Sequence, residues 1–306
     1  MMPRWIDATE FDRLVPPGRA RELLRDALRD GFDPATDPAR TFTDTAHGQL
    51  LLMPSHTPDL AGVKMLGLAP GNVERGLPTI QGLYVLMDAA TLTPHTLIDG
   101  TALTGVRTAA VSAVALEAMA PEIVTEAVIF GTGPQARSHA RALLELRQVE
   151  RITLVGRDSG RASACAEDVA AMGPRTRAVG PDAAESAVRE AQVIICVTSS
   201  PIPVLESSWV GDGTVVVAVG SHSPDARELD ADLMGRALVA VEDVGVALRE
   251  AGDVVLAVRD GVLRPDELAT MSQLARGEVA RPTDRPSVFK SVGMSWQDLV
   301  VAGGVR

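Results

Sequence analysis

The sequence predicts an α/β fold with a doubly wound parallel sheet and a second, mixed α+β domain. From Ala127 onward, strands of nearly continuous Val and Ile alternate with helical segments, which is typical of a parallel sheet buried on both faces. Over residues 40–103, short apolar runs alternate with Gly, Pro and Asn turns, as in an antiparallel sheet. Hydrophobic residues make up 46% of the 306 residues and aromatic residues only 3%, so we expect an aliphatic core.

The first part of the chain is predicted to hold a helix, an antiparallel sheet and a second helix. Residues 16–29 place Ala and Leu at helical spacing, and Gly31 ends that helix. The segments QLLLMP, GVKMLGLAP, IQGLYVLMD and PHTLIDG predict the strands of the sheet. The alanine-rich residues 108–119 predict the second helix.

The later part of the chain is predicted to alternate strands and helices. The strands are AVIFG, RITLVG, QVIICVT, GTVVVAVG and RALVAVED, with helices over 135–146 and 161–171. Residues 286–291 are predicted to interrupt this pattern, and MSWQDLVVAG predicts a last helix.

Charge and composition exclude several classes of function. The net charge of -11, with basic residues scattered singly, disfavours binding to nucleic acid and to anionic membranes. The N-terminal residues lack an apolar central run, and the longest apolar runs have the length of strands, so we expect a cytoplasmic protein. Cys165 and Cys196 follow no metal-binding spacing, so we expect two buried apolar residues and no metal site.

The segment VIFGTGPQA places a glycine turn between a predicted strand and a predicted helix. Gly131 permits the tight turn, Gly133 lets the backbone approach a pyrophosphate, and Ala136 allows close packing of the helix on the strand. The helix N-terminus then offers N–H groups to the phosphates. This context predicts dinucleotide binding on a Rossmann domain, the alternative being an ordinary turn built from small residues.

The end of the next predicted strand reads LVGRDSGR. An NAD site usually has Asp or Glu at this place to bind the ribose 2′-hydroxyl, whereas Gly156 and Arg157 occupy it here. Because Arg makes charge-assisted hydrogen bonds to phosphate, the sequence favours NADP(H) over NAD(H). The alternative is that Asp158 accepts from the ribose and Arg157 points to solvent.

Two basic residues precede the glycine turn in apolar surroundings. Lys64 lies between apolar neighbours in GVKML, and Arg107 precedes an apolar alanine-rich helix. A cation in such a setting needs an anion, and a substrate carboxylate is the natural one. The alternative is that both side chains are solvated at the surface.

The motifs VKM, PGN, GLPT, LIDGTALTGVRTAAVSA, GTGPQA, VGSHSPDARELD and VFKSVGMSWQDL, in this order, resemble the ornithine cyclodeaminase/mu-crystallin family. The similarity extends from about Arg40 to Leu299. It implies a homodimer whose subunit has a Rossmann domain over 111–290. It also implies a substrate-binding and dimerisation domain over 1–110, completed by a C-terminal helix within 291–306.

The resemblance also implies roles for individual residues. Substrate contacts would come from Arg40, Lys64, Thr79 and Arg107, with Lys64 and Arg107 also acting in catalysis. Ser291 would open the final helix. The implied cofactor contacts are Thr108, Gly131, Thr132, Gly133, Pro134, Gln135, Ala136, Gly156, Arg157, Thr198, Val219, Gly220, Ser221 and Ser291.

The loop GSHSPDAREL departs from the ornithine cyclodeaminases, which carry an Asp where this chain has His222. The change disfavours cyclodeamination, and the loop is similar to that of mu-crystallin-type ketimine reductases and alanine-dehydrogenase-like relatives. That branch also carries an Arg after the second Rossmann strand and uses NADPH. An imidazole titrates near neutral pH, so His222 is a candidate proton donor or substrate contact. The alternative is that it bonds the backbone.

These observations predict a reversible NAD(P)H-dependent reduction of a cyclic ketimine or imine α to a carboxylate, giving an amino acid. The alternatives are an ornithine- or lysine-type cyclodeaminase, an oxidative synthase that forms a C–N bond, and an NADPH-dependent ligand-binding protein. A cyclodeaminase releases ammonia without net cofactor turnover. A protein that binds only a hydrophobic ligand has no need of Arg40, Lys64 and Arg107.

Overall fold

The computed structural model of the protein describes residues 2–306. Its strands are β1 (Arg4–Ile6), β2 (Thr41–Thr45), β3 (Gly48–His56), β4 (Leu60–Leu68), β5 (Ile80–Asp88), β6 (Pro94–Asp99), β7 (Ile123–Phe130), β8 (Gln148–Val155), β9 (Arg175–Val179), β10 (Val193–Cys196), β11 (Val215–Ala218), β12 (Leu238–Val241), β13 (Ala269–Thr270) and β14 (Ser287–Lys290). Its α-helices are α1 (Ala8–Leu14), α2 (Pro17–Arg29), α3 (Gly100–Met119), α4 (Pro134–Leu146), α5 (Ser159–Ala170), α6 (Ala184–Glu190), α7 (Ala231–Arg236), α8 (Val244–Glu250), α9 (Gly252–Arg259), α10 (Met271–Arg276) and α11 (Ser295–Gly303).

The chain forms two compact units. The first contains the residues up to Thr108 together with Gly293–Arg306, and the second contains Ala109–Val292. Each unit is built on its own sheet. The mixed and the fully parallel sheet, with their helices, confirm the predicted α/β class.

The sheet of the first unit has, within residues 2–306, six strands in the order β1-β6-β5-β4-β3-β2. β1 joins β6 in parallel, and the other neighbours are antiparallel. The predicted strands correspond to β3–β6. The edge strand β2 is exposed along its length and reads TFTDT, so hydrophobic alternation gives no sign of it.

The two faces of this sheet differ in what covers them. On β4, Lys64 and Leu66 point to the buried face, and Val63 and Met65 point to the opposite one. Helix α11 packs against β3, β4 and β5 and against α2. The buried face of the sheet therefore lies under a helix from the end of the chain.

The sheet of the second unit contains, among the described residues, eight parallel strands in the order β13-β12-β14-β11-β10-β7-β8-β9. The central strands β10 and β11 are buried at every residue. Their Val and Ile side chains pack with those of the covering helices in one aliphatic core. This agrees with the predicted parallel sheet buried on both faces.

The predicted interruption over residues 286–291 is wrong. Ser287–Lys290 forms β14, which lies between β11 and β12 in the parallel sheet. Pro286 precedes the strand and therefore removes no ladder hydrogen bond from it. The strand reads SVFK, with only two apolar residues between Ser287 and Lys290, so it lacks the continuous apolar run that identified the other parallel strands.

The predicted start of the helix over 108–119 is also wrong, because α3 begins eight residues earlier, at Gly100. The Asp99 side chain accepts from the N–H groups of Thr101 and Ala102 at 2.8 and 2.9 Å, which caps the new N-terminus. By length and composition α3 could cross a membrane, but 67% of its apolar window is buried within the protein, as in a core helix.

Candidate active site

A buried ion cluster lies on the covered face of the first sheet. Lys64, in the middle of β4, places Nζ 2.6 Å from Oδ2 of Asp298, and both side chains are fully buried. Arg107, on α3, places Nε 3.0 Å from the other oxygen, Oδ1. One carboxylate on α11 therefore pairs with two cations from different elements of the same unit.

The guanidinium of Arg107 is fixed by two further neighbours. Its Nη1 donates to Oε1 of Gln297 at 3.3 Å. Gly293, with φ of +82°, lies against the other side of the group, and a Cβ at this position would come within 2.5 Å of Nη1. The glycine thus leaves the space that the Arg107 head group occupies.

The surroundings of Lys64 weaken its hold on a proton. Burial lowers the pKa of Lys64 from 10.5 to about 7, and the charges of Arg107 and Arg40 act in the same direction. The Asp298 carboxylate acts in the opposite direction but does not restore the ordinary value. Lys64 therefore holds a proton that it can give up near neutral pH.

Asp37 joins the segment that carries Arg40 to the helix above the cluster. Its Oδ1 accepts from the Ser55 hydroxyl at 2.7 Å, and its Oδ2 accepts from the Trp296 N–H at 2.8 Å. Burial raises the pKa of Asp37 from 3.8 to about 6, against the effect of these donors. Arg40 itself stacks over the ring of Phe42 at 5.6 Å.

Asp298 corrects one expectation from the sequence. The apolar setting of Lys64 and Arg107 was expected to require a substrate carboxylate as the anion, but the protein supplies an internal one. Two cations still face one carboxylate, so the cluster carries a net charge of +1 when Lys64 is protonated. Such a cluster can bind a second, external carboxylate.

The glycine turn of the second unit has the form that phosphate binding requires. Gly131 has φ of +115°, and a Cβ there would lie 2.7 Å from the Val197 carbonyl oxygen. Gly133 is the N-cap of α4 and offers no side-chain cap, and a Cβ on it would have no heavy atom within 4 Å among the described residues. The turn therefore presents backbone and open space at the start of a helix of 13 residues.

After β8, the two candidates for the ribose contact, Arg157 and Asp158, have different surroundings. Arg157 is exposed, and Asp158 is the N-cap of α5, where its Oδ1 accepts from the Arg161 N–H at 2.9 Å. Gly156 is closely packed, because a Cβ there would lie 2.6 Å from the Thr132 methyl group. One oxygen of Asp158 is thus already used within the protein.

The loops that follow β10 and β11 are joined by a carboxylate that the sequence interpretation missed. Oε1 of Glu228 accepts from the N–H and the hydroxyl of Thr198, both at 2.7 Å, and Oε2 accepts from the Gly220 N–H at 2.6 Å. Glu228 is fully buried. The two loops are consequently held at the same carboxylate.

The buried Lys290 holds Ser221, the residue that follows Gly220 in the loop after β11. Lys290, at the end of β14, donates to the Ser221 carbonyl at 2.7 Å and pairs with Oδ2 of Asp253 at 2.8 Å. Oδ1 of Asp253 accepts from the N–H groups of Glu228 and Leu229. Lys64 and Lys290 are the two lysines of a chain with 29 basic residues, and both are buried in ion pairs with aspartate.

Ser291 does not open the last helix, which was a wrong expectation. It directly follows β14, whereas α11 begins at Ser295. Its hydroxyl donates to Oε1 of Glu242 at 2.9 Å, and the Val292 N–H donates to Oε2 of the same carboxylate at 2.7 Å. Ser291 is therefore bound to the end of the parallel sheet.

The remaining predicted residues occupy different settings. In the first unit, Thr79 is exposed on the turn before β5, and Thr108 is buried in α3. In the second unit, His222 is exposed on the loop after β11, beyond the partly buried Val219. The structure therefore brings Lys64, Arg107 and Arg40 together, whereas Thr79 lies on an exposed turn outside that buried cluster.

Asp298, Asp37 and Glu228 were missed because nothing local in the sequence marks them. Asp298 lies in SWQDL, which the motif comparison included without assigning it a role. Tyr84, a fully buried residue of β5, lies opposite Lys64 in the β4–β5 pairing. Within residues 2–306, no group of three or more His, Cys, Asp or Glu side chains is arranged to hold a metal ion.

A family model described as "Ornithine cyclodeaminase/mu-crystallin family" matches residues 22–306. The chain is 34% identical to Delta(1)-pyrroline-2-carboxylate reductase 2 of Burkholderia ambifaria over 259 residues, covering 85% of this chain and 80% of the relative. The structure of Thermococcus litoralis Delta(1)-pyrroline-2-carboxylate reductase in complex with NADH and L-proline matches with a TM-score of 0.92 and 27% identity, covering 99% and 96% of the two chains. An archaeal alanine dehydrogenase dimer with bound NAD matches with a TM-score of 0.90 and 26% identity, covering 100% and 95%.

Proposed function

Because this chain belongs to the ornithine cyclodeaminase/mu-crystallin family, we propose that it is an NAD(P)H-dependent reductase of a C=N bond α to a carboxylate. The observation that carries the proposal is the buried pairing of Lys64 and Arg107 with Asp298, a cation cluster suited to a small carboxylate. The glycine turn at Gly131 supplies the second requirement, a place for a dinucleotide. The reductases among the relatives support the imine substrate that the sequence predicts.

The cofactor, when bound, supplies the hydride that reduces the imine carbon. The residues that would hold its pyrophosphate are Gly131, Gly133 and the first N–H groups of α4. They fit the group because no side chain caps this helix and no Cβ fills the space beside Gly133. Oε1 of Gln135, in the same turn, is buried without a hydrogen-bond partner within residues 2–306.

The substrate carboxylate would bind to Arg107 and Lys64, with Arg40 contributing charge. Arg107 is held by Asp298, Gln297 and Gly293, so its orientation is fixed before the substrate arrives. Preorganised donors of this kind lower the entropic cost of orienting the substrate. A buried carboxylate also gains more from a cation than an exposed one does.

Lys64 would hold the proton that the imine nitrogen needs. Burial lowers the pKa of Lys64 to about 7, so its Nζ can exchange a proton near neutral pH. An incoming carboxylate beside Nζ favours the charged form, because an anion close to an ammonium group raises its pKa. Substrate binding therefore loads the proton at Lys64, within the cluster that binds the substrate.

For the choice between the two cofactors, NADP(H) is favoured. Arg157 is exposed at the end of β8, where a 2′-phosphate could reach it. Asp158, the competing ribose acceptor, is engaged as the N-cap of α5. Two solved relatives hold NAD(H), one as a complex with NADH and one with NAD.

The assembly proposed is a homodimer formed through the open face of the first sheet. This face consists of Leu50, Leu52 and Met65, which are 43%, 39% and 44% exposed, with the partly exposed Val63 and Leu83. Contiguous apolar surface of this kind is typical of a protein interface. A second copy of this chain is the favoured occupant, since a similar structure is a dimer.

The two free cysteines and the NAD(P)H requirement favour the cytoplasm.

The decisive test is a comparison of substrates. Initial rates of NADPH and NADH oxidation would be measured with Δ1-pyrroline-2-carboxylate, with Δ1-piperideine-2-carboxylate and with pyruvate plus ammonia. We expect rapid reduction of a cyclic imine. A reaction with pyruvate and ammonia alone would instead identify an alanine-dehydrogenase type, and ammonia release from ornithine without net cofactor oxidation would identify a cyclodeaminase.

A further inference from the structure

The loops at the carboxyl ends of β10 and β11 are fastened to each other through Glu228. Three donors converge on this carboxylate, namely the N–H and hydroxyl of Thr198 and the N–H of Gly220, at 2.6–2.7 Å. The loops also touch directly, since a Cβ on Gly220 would lie 1.9 Å from the Thr198 carbonyl oxygen. A carboxylate that accepts several charge-assisted bonds fixes both backbones at once.

A second buried layer fixes Glu228 itself. Asp253 accepts from the backbone N–H of Glu228 at 2.8 Å, and its other oxygen pairs with Lys290 at 2.8 Å. Lys290 in turn donates to the Ser221 carbonyl, one residue beyond Gly220. Because Asp253 and Lys290 are fully buried, the layer is shielded from water and holds its geometry.

The hydroxyl groups at this edge of the sheet are engaged by the protein. Thr198 donates to Glu228, Ser221 donates to the Ala226 carbonyl, and Ser291 donates to Glu242. Their donor hydrogens hold the loops in place, so the edge is arranged before any ligand arrives.

The position of the network relates it to ligand binding. In open α/β sheets, ligands bind beyond the carboxyl ends of the strands. The glycine turn follows β7, and β7, β10 and β11 are neighbours in the sheet. A dinucleotide whose pyrophosphate lies on the Gly131 turn therefore extends along the edge that Glu228 organises.

We propose that Glu228 is a positioning residue that holds the Thr198 and Gly220 loops in the arrangement that receives the nicotinamide half of the cofactor, with Asp253 and Lys290 as its support. The inference rests on the proposed function for its choice of ligand. It assigns Glu228 no contact with the reacting atoms. Its effect is exerted through the two loops.

The test compares whole cofactors with cofactors that lack nicotinamide. Dissociation constants of NADPH and NADH would be measured by calorimetry on the intact protein and on Glu228→Gln, alongside 2′-phospho-ADP-ribose and ADP-ribose. The amide places an N–H₂ group against backbone N–H donors, so one or more of the three bonds is lost. We expect the whole cofactors to bind about tenfold more weakly or worse, and the nicotinamide-free ligands to change less than about twofold.

Controls keep the result interpretable. Glu278→Gln changes an exposed glutamate of the same unit and should alter neither ligand class. Thr198→Val removes one of the three bonds and should give a smaller loss for the whole cofactors alone, which decides the question if Glu228→Gln does not fold. Thr198→Ser should restore the binding.

Two outcomes would overturn the inference. Equal weakening of both ligand classes would show a general structural role, and unchanged binding of both would show no role. Since the experiment needs no turnover, its result is independent of the imine substrate. A protein that reduces no imine but shows the differential effect would refute the proposed function and leave the role of Glu228 standing.

Discussion

Gly293 lies directly against the guanidinium of Arg107, where a Cβ would come within 2.5 Å of Nη1. Gly293→Ala should therefore displace Arg107 from Asp298 and raise the KM for the imine substrate by about tenfold or more, since charged hydrogen bonds contribute about 1.5–3 kcal/mol. The dissociation constant of NADPH should change little.

A matched control for this prediction is Gly76→Ala. Gly76 belongs to the same unit and also has a positive φ, of +66°, but a Cβ on it would have no heavy atom within 4 Å among the described residues. The control carries the backbone strain without the contact. If both variants raise KM equally, strain rather than the position of Arg107 is responsible.

Lys64 should titrate near pH 7 rather than near 10.5. The chain has two lysines, so protein labelled with [ε-13C]lysine should give two resonances that can be followed directly against pH. Lys64→Met removes one of them and assigns it. Addition of L-proline as a carboxylate ligand should move the midpoint upward. A midpoint near the ordinary value of a lysine would contradict the role of Lys64 as a proton donor at neutral pH.

The lowered pKa of Lys64 should make the free energy of unfolding depend on pH. The folded pKa of Lys64 lies below its ordinary value, so burial of this group costs least above pH 10.5, where it is neutral in both states. Its contribution to the free energy of unfolding is lost as the pH falls through about 7.

The kcat/KM of imine reduction should decline as the pH rises above 7, because Lys64 then loses the proton that it would donate.

Asp37→Asn should change how stability depends on pH in the acidic range. The folded pKa of about 6 exceeds the ordinary 3.8, so the contribution of Asp37 is full below 3.8 and is lost as the pH rises through 6. The wild type should therefore gain up to about 3 kcal/mol relative to the variant between pH 7 and pH 4. Urea unfolding at several pH values measures this difference.

Asp59→Asn is the control for that series, because Asp59 is exposed on the turn between β3 and β4 of the same unit. Its stability should follow that of the wild type at every pH. A parallel pair of curves for wild type and Asp37→Asn would mean that Asp37 keeps an ordinary pKa in the folded protein.

Arg157→Ala should reduce the preference for NADPH over NADH. Loss of a charged hydrogen bond to the 2′-phosphate corresponds to a decrease of about 10-fold or more in the ratio of the two kcat/KM values. Arg175→Ala, at an exposed arginine of the same unit, should leave the ratio unchanged. An unaltered ratio in Arg157→Ala would favour NAD(H) and a ribose contact by Asp158.

Leu52→Glu should dissociate the proposed homodimer. A charge at the centre of the open sheet face costs free energy when a second copy covers it. Light scattering should give about twice the subunit mass of 32.2 kDa for the wild type and about one subunit mass for the variant. Ile202→Glu alters an exposed apolar residue of the other unit and should remain dimeric. A monomeric wild type would refute the assembly.

Much of the fold could be predicted because its signals are local. Alternating apolar residues in β3–β6 and Val-rich runs in the parallel strands fix which segments pair or become buried. The start of α3 could not be predicted, since it depends on the Asp99 cap and on the close approach of Gly100 to Gly82. Strand β14 was missed because Ser287 and Lys290 leave only two apolar residues in its sequence.

The sequence by itself determined the glycine turn, the parallel sheet and the cations Lys64 and Arg107, because these depend on backbone permissiveness, periodicity and residue type. Only the tertiary structure decided what those cations face. Asp298 reaches Arg107 across 191 residues of sequence, and no local pattern encodes a pairing at that separation. The same holds for Glu228, because its carboxylate accepts hydrogen bonds from two loops that only folding brings to one edge of a sheet. A buried charge is defined by its neighbours, and the neighbours are set by packing.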